Sequence, residues 1–389
     1  MKKQFSNFYI SAGTIIVFIL IMEMLLALFY PSKIKFQPYH EKYDPTLGWV
    51  NRPLKNEGVH FEFARSRFFH VTHNSLGLRG PETSYKKPAG IKRVLFVGDS
   101  YFWGYGVSDN EVLTQVIQRQ VPSSVEILNG GTTGYGTDQM LLWLRYEGLK
   151  YNPDIVVFGF TAANDLDEIA SSVSYYSPKP IFMLENNEFV LKNVPVPRTS
   201  EIDRKTFGSP ATIFGKLKKY LRHHTHIYPF IIGRLNSRPA LRKFFIDIGV
   251  AEEYTTNLGN IKVLKNPPER LWEIAVSLIK ESKRITEESG AKFVLVFIPS
   301  KEDTSSSPKI ESGAKEDART NNADMAAILE KIASRDKIIY LDLLPSFNER
   351  LVNGKVLYNM EEKDHHWNAA GHRFAADEIL SFIRKQGWL

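Results

Sequence analysis

The stretch Val94-Leu95-Phe96-Val97-Gly98-Asp99-Ser100 decides the reading of this 389-residue chain. Four apolar residues lead straight into Gly-Asp-Ser, so a buried strand is expected to end on a serine. In open α/β sheets ligands bind outside the carboxyl ends of the strands, which makes Ser100 a candidate nucleophile. The same three residues also make ordinary turns. The rest of the chain decides between these readings.

Working outward, short apolar runs recur at 94–98, 125–129, 154–160, 292–298 and 337–341. Each is continuous rather than alternating, as expected of parallel strands covered on both faces. Helical patterns fall between them at about 111–120, 137–150, 268–289 and 321–334, and a last one spans about 369–386. This alternation predicts an α/β fold: a flavodoxin-like three-layer α/β/α sandwich with a mostly parallel five-stranded sheet. Residues 170–267, which include Pro178, Pro180, Pro195, Pro197 and Pro210 and a basic stretch, break the rhythm. They are expected to form a partly helical insertion over the strand ends. Residues 301–320 read as a polar loop. The predicted organisation is therefore 1–30, tip and membrane anchor; 31–90, linker and small strand-and-turn module; 91–389, the α/β domain with its insertion. Arg79, in Asn74-Ser75-Leu76-Gly77-Leu78-Arg79-Gly80, is expected to tie the module to the domain rather than line the cleft.

The apolar fraction of 43% supports a sizeable core, and a net charge of +7 is small for this length. No zinc-finger or RNA-binding signature occurs, which argues against nucleic acid. The chain has no cysteine, which excludes disulfides, thiolate metal sites and a cysteine nucleophile. Lys2 and Lys3 precede the apolar run 8–30, which is long enough to span a bilayer. No Ala-x-Ala site follows, so the run reads as an uncleaved single-pass anchor in the inner or plasma membrane. The lysines put the N-terminus in the cytoplasm and the rest outside, in the periplasm if the cell is Gram-negative. Glu23, near the outer end, is expected to reach the interface. Lys216–Arg222, with His223, His224 and His226, reads first as a solvated basic face, with anionic lipid or acidic glycan as other contacts. The histidines lack a carboxylate at clear metal-binding spacing.

A serine hydroxyl needs a base. Asp364-His365-His366-Trp367-Asn368-Ala369-Ala370-Gly371-His372 offers one. Asp364 and His366 can lie on one side of an extended or turning backbone, the carboxylate holding Nδ1–H and leaving Nε2 for Ser100. The competing reading is a helix start capped by Asp364 or Asn368. Acyl transfer also needs donors for an oxyanion. Asn129-Gly130-Gly131-Thr132-Thr133-Gly134-Tyr135-Gly136-Thr137 offers backbone N–H groups, and Thr161-Ala162-Ala163-Asn164-Asp165 a side-chain amide. Ser100, Gly134 and Asn164 each follow one of three successive strands, so all three fall at one edge of the sheet.

These blocks resemble the SGNH hydrolases, or GDSL-like esterases and lipases, and among them the membrane-anchored branch. The resemblance covers about 91–170 and 285–389. It implies that Ser100 is the nucleophile and an oxyanion donor, that Gly134 and Asn164 complete the oxyanion hole, and that His366 is the base. Two departures stand out. Three residues before His366, where the family commonly has Asp, this chain has Lys363, so the acid is Asp364 at minus two, with Glu362 a weaker candidate. The first block continues Tyr101-Phe102-Trp103-Gly104 instead of with Leu. The three aromatics are expected either to stack on sugar rings or to pack beneath the site. The implied activity is a serine ester hydrolase working through an acyl-enzyme with no metal or organic cofactor. An anchored enzyme of this kind meets surface polysaccharides and lipids, so O-acetyl groups of an exported polysaccharide are the expected substrate. An O-acyltransferase, a lipid esterase and a non-catalytic glycan-binding protein are the alternatives.

Overall fold

The computed structural model describes residues 2–29, 40–60, 68–161, 164–174, 177–186, 188–198, 220–221, 225–227, 263–301, 322–359 and 365–389. The chain divides into two units, Met1–Pro38 with Thr199–Asn260, and Tyr39–Arg198 with Ile261–Leu389.

The larger unit is built on five parallel strands: β1 (Lys92–Val97), β2 (Val125–Asn129), β3 (Ile155–Thr161), β4 (Lys292–Ile298) and β5 (Ile339–Asp342). Their spatial order is 2-1-3-4-5, the flavodoxin-like doubly wound order. Every pairing in the sheet is parallel, with Val94 opposite both Ile127 and Ile155, and Val157 opposite Val294. Successive side chains of a strand point to opposite faces. Val94 and Phe96 therefore join Val157, Val294 and Val296 in one core, and Leu95 and Val97 join Phe158, Leu295 and Phe297 in another. Two apolar faces explain why each strand reads as an unbroken hydrophobic run.

Helices cover both faces. Among the described residues the helices are, in chain order, α1 (Lys2–Phe29, in the smaller unit), and in the larger unit α2 (Ser100–Trp103), α3 (Leu113–Gln118), α4 (Thr137–Tyr146), α5 (Asp165–Ile169), α6 (Leu271–Glu288), α7 (Asn322–Arg335), α8 (Leu344–Val352) and α9 (Ala369–Lys385). α4, α6 and α7 bury their stripes on the face of Leu95 and Phe158. α3, α8 and α9 do so on the face of Val94 and Val157. α6 shows the pattern plainly: Ile274, Leu278, Ile279 and Ile285 are buried, at helical spacing.

Two parts add to the sequence reading. The described residues of 170–198 include four short strands, while Tyr220 and Leu221, in the same expected insertion, are helical. Val173–Ser174 pairs with Ser177–Pro178, and Ile181–Glu185 pairs with Glu188–Lys192, all antiparallel. Ile181, Phe182, Phe189 and Val190 favour a pleated surface, and Asn186 takes the left-handed conformation (φ 51°) that a tight hairpin turn requires. α8 is also additional. It is short and starts on Leu344-Pro345, where proline's missing N–H costs nothing. The polar loop expected at 301–320 lies, past Lys301, outside the described residues.

Residues 40–80 form two antiparallel hairpins, Glu41–Asp44 with Gly48–Asn51 and Leu54–His60 with Phe68–His73. In the smaller unit, Tyr9–Leu28 of α1 has a mean hydropathy of 2.4 and is hardly buried. At 1.5 Å per residue its 20 residues reach about 30 Å, enough by length and composition to cross a membrane. Glu23 does not end in bare apolar surroundings. Its carboxylate accepts hydrogen bonds from the backbone N–H groups of His226 (2.5 Å) and Ile227 (3.0 Å), and His226 Nδ1 lies 2.8 Å away.

Candidate active site

Ser100 opens α2 directly after β1. Gly98 is required at the turn, because a Cβ there would sit 2.7 Å from the Phe102 ring. Asp99 caps the helix, its Oδ1 accepting from Tyr101 N–H at 2.9 Å. Gly104, at φ 92°, ends it, and the N–H groups of Gly104 and Tyr105 both reach Ser100 O at 2.9 Å. One helical turn has little stability of its own. Arg79 supplies the missing support. Fully buried, it donates to the carbonyls of Trp103 (2.8 Å), Gly104 (2.6 Å) and Val107 (2.7 Å) and pairs with Asp109 at 3.0 Å. Trp103 Nε1–H donates to His73 Nε2 at 2.9 Å, and His73 Nδ1 lies 2.8 Å from Arg52 O.

His366 is placed by its neighbours in sequence. Trp367 is fully buried and stacks on Phe347 with ring centroids 5.2 Å apart. Asn359 N–H donates to His366 O at 2.9 Å, and Tyr358 and Trp367 form an antiparallel bridge. Asn368 caps α9, accepting from the N–H groups of Ala370 and Gly371, while its amide donates to the carbonyls of Val356 and Tyr358. The result is a Ser100 Oγ to His366 Nε2 distance of 2.8 Å across 266 residues of chain. The Tyr101 and Tyr105 rings lie 5.1 and 4.4 Å from the imidazole, centroid to centroid. Asp364 and Glu362, the two acids considered as partners of His366, lie outside the described residues.

The glycine loop after β2 presses against the back of α2. A Cβ on Gly131 would fall 2.3 Å from Trp103 N, and Thr132 N–H donates to Gly98 O at 3.1 Å. Gly134 takes φ 70°, a conformation that favours glycine. Among the described residues, the N–H groups of Ser100 and Gly134 have no protein acceptor. The N-terminal hairpins pin this loop: Trp49 Nε1–H donates to Thr133 O, Asn51 to Gly131 O, and Tyr135 OH to Trp49 O. Asn164 follows β3 and precedes α5, with its Oδ1 buried and unpartnered among the described residues. Arg79 ties the N-terminal module to the domain, as expected, but its carbonyl partners and the contacts of His73, Trp49 and Asn51 were not legible, since nothing local marks contacts 21 to 86 residues apart.

Beneath Ser100 lies a group of buried carboxyls. Burial pushes Asp99 up, against the Tyr101 N–H and the charge of His366. Burial also pushes Asp165 well up, and the charge of Asp99 adds to it, while Asp165 accepts from Thr161 N–H at 2.5 Å. Glu168 is pushed up to about 7, chiefly by burial. Asp138 pairs with the equally buried Lys179. Among the described residues no three His, Asp or Glu side chains are arranged to hold a metal ion; His223 and His224 lie outside them. Tyr101, Phe102 and Trp103 are 3%, 0% and 0% exposed. They pack beneath the site and present no face for stacking on a sugar, because α2 turns them into the core.

The serine hydrogen-bonded to a histidine thus stands at the carboxyl edge of a doubly wound sheet, beside two N–H groups that have no acceptor among the described residues. Residues 263–389, which carry β4, β5, α6 to α9 and His366, match the ALGX family model, described as the SGNH hydrolase-like domain of the acetyltransferase AlgX. The match includes His366 and leaves Ser100, Gly134 and Asn164 outside it. Solved structures similar to the chain include an acetyl xylan esterase, at 13% identity and TM-score 0.38 over 75% of this chain and 99% of that one. A putative acylhydrolase from Bacteroides fragilis is 14% identical, with TM-score 0.37 over 77% and 90%. A GDSL-like lipase from Bacteroides thetaiotaomicron is 11% identical, with TM-score 0.38 over 78% and 93%. No curated protein sequence matches the chain.

Proposed function

We propose that this protein is a serine acyl-transfer enzyme that forms an acyl-enzyme on Ser100, acting on O-acetyl groups of an exported polysaccharide. The observation that carries the proposal is the 2.8 Å contact between Ser100 Oγ and His366 Nε2. Ser100 Oγ attacks the ester carbonyl carbon as His366 Nε2 takes its proton. The carbonyl oxygen becomes an oxyanion, held by the N–H groups of Ser100 and Gly134 and the amide of Asn164. Collapse breaks the ester C–O bond, and His366 returns the proton to the leaving alkoxide. In the second half His366 takes a proton from the acceptor, which attacks the acyl carbon and frees Ser100. Asp364 is assigned to orient the imidazole.

Water as acceptor makes the protein an esterase. A sugar hydroxyl makes it an O-acetyltransferase, a reading favoured by the AlgX description of the family model over residues 263–389. The polysaccharide assignment draws on that description and on α1, which suits a single-pass anchor outside which the catalytic domain would work.

The test is intact-mass analysis of the full chain in detergent after reaction with a fluorophosphonate, beside Ser100→Ala and His366→Ala. One adduct that requires both residues is expected. A folded wild-type protein that takes no adduct overturns the proposal. With an acetylated Ser100, the fate of the acetyl group with and without a polysaccharide acceptor separates transfer from hydrolysis.

A further inference from the structure

We propose that Tyr101 and Tyr105 form an aromatic wall around His366 and act as positioning residues for it. The inference rests on the acyl-transfer reading above. Both rings come from the nucleophile's own turn. Tyr101 is the second residue of α2, and Tyr105 follows Gly104, whose left-handed φ of 92° turns the chain back towards the site. Tyr105 N–H is tied to Ser100 O at 2.9 Å, so its backbone is fixed to that of the nucleophile. The Tyr101 ring centroid lies 5.1 Å from that of His366 at an interplanar angle of 38°, and Tyr105 lies 4.4 Å away at 32°. Tyr101 OH donates to His365 O at 2.8 Å, and its ring meets Trp367 edge-on at 5.0 Å. The base is thus held through the residues on either side of it as well as through its own ring.

Two consequences follow for the reaction. Contact with two rings limits rotation of the imidazole, which keeps Nε2 on Ser100 Oγ. When His366 takes the serine proton it becomes a cation, and an aromatic face within about 6 Å attracts a cation more than a neutral ring. The wall therefore favours the transition state over the ground state, which raises the rate without tightening substrate binding.

The experiment compares Tyr105→Phe and Tyr105→Leu with wild type, as full chains in detergent with histidine isotopically labelled. The His366 ring protons are expected upfield in wild type and Tyr105→Phe, under the ring currents, and downfield of that in Tyr105→Leu. The maximal rate of fluorophosphonate labelling should fall about tenfold in Tyr105→Leu, equivalent to about 1.4 kcal/mol, with the half-saturating probe concentration unchanged. Tyr105→Phe should stay within about twofold of wild type. A folded Tyr105→Leu that leaves the His366 resonances in place overturns the contact. One that moves them yet labels at the wild-type rate overturns the positioning role. Wild type that shows the upfield resonances but takes no label overturns the acyl-transfer reading and the role of the wall with it, while the ring contact itself is still measured.

Discussion

Asn164 is the residue whose proposed role is most open to a direct kinetic test. It leaves β3 beside Asp99, at the sheet edge where the N–H groups of Ser100 and Gly134 have no acceptor among the described residues. As a third donor to the oxyanion it would act chiefly on the transition state. Asn164→Ala is expected to lower kcat about 10²- to 10³-fold with little change in KM. Activity within a few-fold of wild type removes Asn164 from the hole. At this scale the sequence is legible where one residue type does something unusual. A serine at the end of an apolar strand, a glycine loop, an amide after a third strand and a histidine before a final helix all stand out. It is opaque where the residue is ordinary and its partner distant. Nothing in Asn74-to-Gly80 says that Arg79 will hold three carbonyls around α2, and nothing in Tyr105 says that it will lie against an imidazole 261 positions later.

The elements follow the same division. The five strands were legible to within two or three residues at each end because a sheet covered on both faces demands unbroken apolar runs, a signal that needs no tertiary context. The hairpins of 40–73 fall within the strand-and-turn module expected there, but their bounds, like the hairpins of 170–198, were not legible, since half-exposed strands of two to seven residues blend with turn-rich sequence. α2 is an element that propensity alone would not make. Four residues give a single turn, and its C-terminal carbonyls are satisfied from outside by Arg79. Arg79→Met keeps the volume and removes the donors, leaving the carbonyls of Trp103, Gly104 and Val107 buried and unmet. At about 1 to 3 kcal/mol each, the expected loss is about 3 kcal/mol or more, read as a lowered denaturant midpoint. Fluorophosphonate labelling of the remaining folded protein should also slow, because the same carbonyls fix the far end of the nucleophile's turn. A midpoint equal to wild type means that Arg79 is not what holds α2.

Across the whole molecule, buried ionisable groups pull stability in opposite directions with pH. Glu168 is pushed from an ordinary 4.5 to about 7 by burial, against Ser174 and Lys179 and with help from the charges of Asp138 and Asp99. Between those values the folded chain keeps a proton that the unfolded chain has lost. Its contribution is therefore complete below 4.5 and disappears as pH rises through 7. Asp99 and Asp165, also raised, act with the same sign. His73 and His372 oppose them. Burial lowers both from 6.5 to about 3, so their contribution is complete above 6.5 and is lost as pH falls towards 3. His372 shows why: it is 1% exposed, it meets Trp367 edge-on at 5.7 Å, and both ring nitrogens lack a partner among the described residues. His372→Leu should stabilise the protein by about 1 to 2 kcal/mol at pH 7, since it deletes two unmet polar atoms. The two groups can be separated by taking Tm against pH from 4 to 8 for wild type, Glu168→Gln and His372→Leu. The Glu168→Gln minus wild-type difference should climb from pH 4.5 to 7, and the His372→Leu difference should climb as pH falls below 6.5. Because the windows overlap between 4.5 and 6.5, wild type alone shows only the net of the two. Opposite slopes of the difference curves in that interval identify them, and curves that run parallel there exclude the assignment.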